Sequence, residues 1–204
     1  MGEGVHTLSR KQRESRNIDA GLNKAEKFTI HRIENDIRRN KLESAYFVDD
    51  EGRIVGTAID GTETYVKIPK SEAKPNTVMI HNHPGKGLSD SIAGRIGSPF
   101  SSFDVDLAVK ANVKEIRAVT KTYTYSLKRP KGGWGDPKKI EKAIEKMKTD
   151  RRSARKEYLN AKENITKYPY SPEDNDRANL MSGYKAMQRI AKRFGWKFSR
   201  KKTA

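Results

Sequence analysis

Residues 77–84 read TVMIHNHP, and residues 101–113 read SSFDVDLAVKANV. The first is a run of apolar and β-branched residues stopped by a proline, as expected of a strand in a sheet. The second opens with Ser101, three residues before Asp104, and continues with Val105, Leu107, Ala108 and Val109, the pattern of a capped helix. Strand side chains alternate, so His81 and His83 would project to one side and Asn82 to the other. Ser101 and Asp104 would share one side of a helix N-terminus. A strand, a loop and a helix would then bring two imidazoles and a carboxylate to the end of a sheet, in a chain with only four histidines.

Two imidazoles at this separation can hold one cation. Zinc accepts imidazole nitrogen and carboxylate oxygen, and three protein ligands with a fourth position left for water characterise catalytic sites. His81, His83 and Asp104 are therefore candidate ligands of Zn2+. Each piece also has a plainer reading. Ser-x-x-Asp is a helix-capping variant, and a His-x-His pair is often ordinary surface. Asp106 is the alternative third ligand, and Asp90, in the loop, could intrude.

Working outward, AYFVDDEGRIVGTAI at 45–59 reads as a hairpin that turns at Asp49-Asp50-Glu51-Gly52. TETYVKIP at 62–69 alternates like a third strand, and IRAVT and TYTYSLK, at 116–120 and 122–128, read as two more. Residues 7–42 read as helical, with Leu22, Ala25, Phe28, Ile30, Ile33 and Ile37 near one stripe. RPKGGWGDP at 129–137 reads as a linker. Beyond it lie a long charged helix with Ile140, Ile144 and Met147 on a sparse stripe, and a last helix over about 171–198 with Leu180, Tyr184, Met187, Ile190 and Ala191 on its apolar face.

The chain has 204 residues and a formal charge of +17. Residues 41–128 sum to about +1, whereas residues 129–204 hold 22 Lys/Arg against 9 Asp/Glu, about +13. The basic segment points to phosphate or another acidic partner, with Trp134, Tyr158, Tyr168, Tyr170 and Trp196 available to stack on bases. A solvated helical face is the plainer reading of the same charge. There is no cysteine, hence no disulfide or thiolate chemistry. No apolar run approaches membrane-spanning length, and the polar N-terminus has no signal-peptide core. A cytoplasmic protein without membrane partners is expected.

The His81-Asn82-His83-Pro84 and Ser101-x-x-Asp104 motifs together resemble the JAMM motif of the JAB/MPN metalloprotease superfamily, in the HNHP form of RadC-like and bacteriophage head-associated domains. The resemblance covers roughly residues 40–128. It implies an α/β fold of the JAB1/MPN-like (cytidine-deaminase-like) kind, a curved mixed sheet flanked by helices. The divisions would be a helical N-terminal extension at 1–40, the metalloprotease-like domain at 41–128 and a basic helical extension at 129–204.

It also implies a zinc-dependent hydrolase of peptide or isopeptide bonds, bacterial or virion-associated, acting on a protein or peptide. Glu43 would take a proton from the attacking water and pass it to the leaving amine. Glu63 is its main rival, and Glu51, in the turn, a weaker one. Ser101 would hydrogen-bond the developing oxyanion. One departure from the family pattern is the long segment GKGLSDSIAGRIGSPF at 85–100, which could act as a lid or displace Ser101 and Asp104. The competing functions are a non-catalytic nucleic-acid-binding or virion-structural scaffold, and hydrolysis of a phosphodiester by the same site.

Overall fold

The structure, a computed structural model, describes residues 18–59, 61–84, 97, 99–166 and 172–203. Helix α1 (Lys24–Ile37) precedes a hairpin of β1 (Ala45–Val48) and β2 (Ile54–Ala58). Strand β3 (Val78–Asn82), helix α2 (Ser102–Lys110) and strand β4 (Glu115–Val119) follow, then β5 (Tyr123–Lys128). Helices α3 (Pro137–Thr166) and α4 (Pro172–Phe194) lead to a final strand, β6 (Lys197–Lys202). The protein is α/β, with one open mixed sheet of six strands in the order β2-β1-β3-β4-β5-β6. Among the described strands, only β3 and β4 pair in parallel. Such a pair requires a crossover, and α2 provides it.

The two sheet faces have different chemistry. On one face Ile30, Ile33 and Ile37 of α1 pack against Val48, Val78, Ile80 and Val119. Their i, i+3, i+7 spacing gives a single helical stripe. Phe28, expected on that stripe, is 69% exposed, because it lies two residues from Ile30 and so points almost the opposite way. The same face holds a fully buried guanidinium. Arg117 donates to Glu115 Oε1 at 2.7 Å, to Glu34 Oε1 at 2.7 Å, to Asp19 Oδ1 at 3.0 Å and to the Ile18 carbonyl at 2.8 Å. This network ties the N-terminal segment to the central strand β4.

The other face is apolar. Met79, Ile116, Ala118, Tyr125 and Leu127 of the sheet meet Val105 and Ala108 of α2, Ile140 and Met147 of α3, and Met187 and Ile190 of α4. Trp134 and Trp196 close this core, each 4% exposed. Their rings lie edge to face at 5.1 Å, and their indole N–H groups donate to the Val113 and Trp134 carbonyls. Neither ring is available to stack on a base. The side chain of Tyr158, together with Tyr168 and Tyr170, lies outside the described residues.

Three sequence expectations change. The helix read over 7–42 spans Lys24–Ile37 and begins at a capping box in which Asn23 Oδ1 accepts from Glu26 N and Glu26 Oε2 accepts from Asn23 N; residues 7–17 lie outside the described residues. The strand expected at 62–69 does not form. Thr62 N and its hydroxyl both bond the Tyr65 carbonyl, closing a turn, and the β2 donor Thr57 N is taken by the Glu72 carboxylate at 3.0 Å. Val66 and Ile68 still pack on the core, and that packing alone accounts for the alternation. Finally, the last helix stops at Phe194 and KFSRKK pairs antiparallel with β5 as the edge strand β6. No helix among the described residues is long and apolar enough to cross a membrane.

Candidate metal centre

The site sits where β3 ends. Ala45 and Ala118 lie in register on either side of His81, and their small side chains leave the imidazole room to meet α2. Beyond β3, His83 N donates to the Val119 carbonyl at 2.8 Å, which prolongs the parallel pairing. His81 and His83 therefore keep strand alternation and face the same way. Their Nε2 atoms are 2.9 Å apart and their ring centroids 4.7 Å apart. Asp104 reaches them from the first turn of α2, with Oδ1 3.3 Å from His81 Nε2 and Oδ2 3.5 Å from His83 Nε2. These three residues could hold a metal ion.

The capping and site roles of Ser-x-x-Asp coexist. Ser101 Oγ accepts from Asp104 N at 3.1 Å, and Asp104 Oδ2 accepts from Ser101 N at 2.6 Å. The cap thereby fixes the carboxylate that faces the histidines. Burial would raise the Asp104 carboxyl, but the charge and hydrogen bonds of His81 and His83 overcome it and hold the group well below the usual carboxylate range. His81 Nδ1 is buried without a hydrogen-bond partner among the described residues.

Glu43 lies two residues before Ala45, hence on the His81 face of the sheet. Its backbone is held on both sides, since Glu43 N donates to the Thr62 carbonyl at 2.8 Å and Gly61 N to the Glu43 carbonyl at 3.2 Å. Gly61 permits that approach, because a Cβ there would stand 2.6 Å from the Glu43 carbonyl oxygen. Burial raises the Glu43 carboxyl above its ordinary value, opposed by nearby His83 and His81 and assisted by Asp104. The buried carboxyl thus lies within electrostatic reach of all three candidate ligands.

Sequence reading overlooked Asn82. Its side chain brackets Glu43: Oδ1 accepts from Ser44 N at 2.7 Å and Nδ2 donates to the Leu42 carbonyl at 3.0 Å. Alternation gave only its direction, away from the histidines. No local pattern announces a partner forty residues upstream.

The rival residues lie elsewhere. Asp106 turns to Lys110 Nζ at 2.7 Å, two residues round the helix from Asp104. Glu63 is exposed in the irregular segment after β2, and Glu51 pairs with Arg53 at 2.9 Å. Asp90 lies outside the described residues, as do residues 85–96 and 98 of the 85–100 segment read as a lid. No protein-family model, curated protein or solved structure matches the chain.

Proposed function

We propose that the chain is a zinc-dependent hydrolase of peptide or isopeptide bonds, of the JAMM type that its HNHP and Ser-x-x-Asp motifs resemble. One observation carries the reading: the convergence of His81, His83 and Asp104 with a buried carboxyl, Glu43, beside them. Zinc bonded at about 2.0–2.2 Å to tetrahedrally placed ligands has ligand–ligand edges of roughly 3.3–3.6 Å. His81 Nε2 and His83 Nε2 are 2.9 Å apart, and each faces a different oxygen of Asp104, Oδ1 at 3.3 Å and Oδ2 at 3.5 Å, separations of that order. Two imidazoles and one carboxylate are also a donor set that zinc favours. The same reading assigns the sheet to the JAB/MPN architecture. Its support is that the strand following Glu43 runs antiparallel beside the strand that bears His81.

Zinc at such a site supplies Lewis acidity, polarising a carbonyl and making a water acidic enough to ionise near neutral pH. The protein's residues do the rest. The raised carboxyl of Glu43 suits a group that accepts the water's proton and later returns it to the leaving amine. Ser101 Oγ uses a lone pair for the Asp104 N–H, so its own hydrogen is free to donate to the oxyanion developing on the scissile carbonyl. Such a donor contributes about 3 kcal/mol. Asp104, held by the cap, stays ionised and ready to bind a cation.

The test is Glu43→Gln in zinc-loaded protein, assayed on peptide and isopeptide-linked substrates. The variant should keep its zinc and lose about 100-fold or more in rate. Equal rates for the two proteins would overturn the assignment.

A further inference from the structure

Helices α3 and α4 pack along each other, and a cleft of about 290 Å³ opens between them, lined by Arg151, Arg152, Arg155, Asn179 and Ser182. The guanidinium of Arg151 lies flat over Gly183, where a Cβ would meet its Nη2, Cζ and Nε at 3.6–3.7 Å. Glycine at 183 thus lets the group rest on the α4 backbone. The Ser182 hydroxyl donates to the Asn179 backbone carbonyl at 2.8 Å, and Asn179 itself is exposed. Neither Arg151 nor Arg152 pairs with a carboxylate among the described residues. In a chain with 26 acidic residues, two adjacent guanidinium groups without an acidic partner suit a ligand that brings the anion itself.

We propose that this cleft grips a backbone phosphate of a nucleic acid. A planar guanidinium fork matches two phosphate oxygens and holds them in a fixed orientation. The surroundings favour a polyanion over a single small anion. Residues 129–204 carry 22 basic against 9 acidic side chains, and four of the 22, Lys197, Arg200, Lys201 and Lys202, lie on β6. Both tryptophans are buried and take no part in stacking on a base, and a phosphate contact of this kind carries no sequence information. The inference goes beyond the hydrolase reading and is independent of it.

The experiment follows binding of a fluorescein-labelled DNA duplex to the full chain by anisotropy, between 50 and 200 mM salt, with and without EDTA. The variants are Arg151→Gln/Arg152→Gln and, as a control of equal charge change, Lys197→Gln/Lys202→Gln on the sheet edge. The arginine pair should lose about tenfold in affinity and flatten the slope of log affinity against log salt by roughly 1–2 units. The lysine pair should lose clearly less, and EDTA should change nothing. If the double arginine variant does not fold, Arg152→Gln alone, at an exposed side chain, should give about half the slope change. Equal losses for the two pairs, no binding by the wild-type chain, or displacement of DNA by inorganic phosphate, an acidic peptide or phosphatidylserine vesicles at equal charge concentration would each overturn the proposal.

Discussion

At the scale of single residues, the site depends on side chains that serve two roles. Asp104 caps α2 and faces both histidines, so the helix start and the candidate metal centre are fixed by one carboxylate. Asn82 is the buried counterpart on the opposite side of β3. By bonding the backbone of residues 42 and 44, it sets where Glu43 stands. Asn82→Ala would leave the buried Ser44 N–H and the part-buried Leu42 carbonyl without this partner, at about 1–3 kcal/mol. It should lower the melting temperature and cut hydrolysis by about 10- to 100-fold through misplacement of Glu43, while zinc content and KM stay unchanged. Loss of zinc in this variant would show that Asn82 shapes the ligands instead.

At the scale of elements, the strand–loop–helix order around the histidines was legible because each piece has its own local signal: alternation, a terminating proline and a capping spacing. β6 was not legible. Four of the six residues in KFSRKK are basic, which weakens an apolar pattern. Charged side chains are nonetheless what an edge strand carries to discourage edge-to-edge pairing. Nor could sequence reveal Arg117. A lone arginine inside a predicted strand gives no sign of the three carboxylates that surround it, two of which, Asp19 and Glu34, come from far upstream. These partners make α1 an integral layer of the domain. For Asp19, burial would raise the carboxyl, but the charge and hydrogen bonds of Arg117 and His31 hold it below its ordinary 3.8. A depressed folded-state value means stability that is present above about pH 4 and is lost as pH falls through that value. Asp19→Asn should therefore be less stable than wild type by about 1.5–3 kcal/mol at pH 7 in urea unfolding. The gap should shrink as the medium is acidified below pH 4, and a gap independent of pH would contradict this account.

At the scale of the whole molecule, the change in charge near residue 129 does not coincide with an edge of the core. One apolar cluster joins Met79, Ile116 and Tyr125 to Trp134, Ile140, Met187 and Trp196. Each such side chain contributes about 1.5–3 kcal/mol by burial, against a total stability of about 5–15 kcal/mol for a domain. A fragment of residues 1–128 should accordingly show no cooperative thermal transition by circular dichroism, and a sharp melt would contradict the shared core. The basic surface and the candidate metal centre are therefore built on one folded body.

Metal analysis of the 204-residue chain, purified without chelator, tests the central claim most directly. The account predicts close to one zinc per chain in the wild type, and its loss from folded His81→Ala, His83→Ala and Asp104→Ala variants. A well-folded wild type without zinc affinity, or full zinc retention by Asp104→Ala, would contradict it.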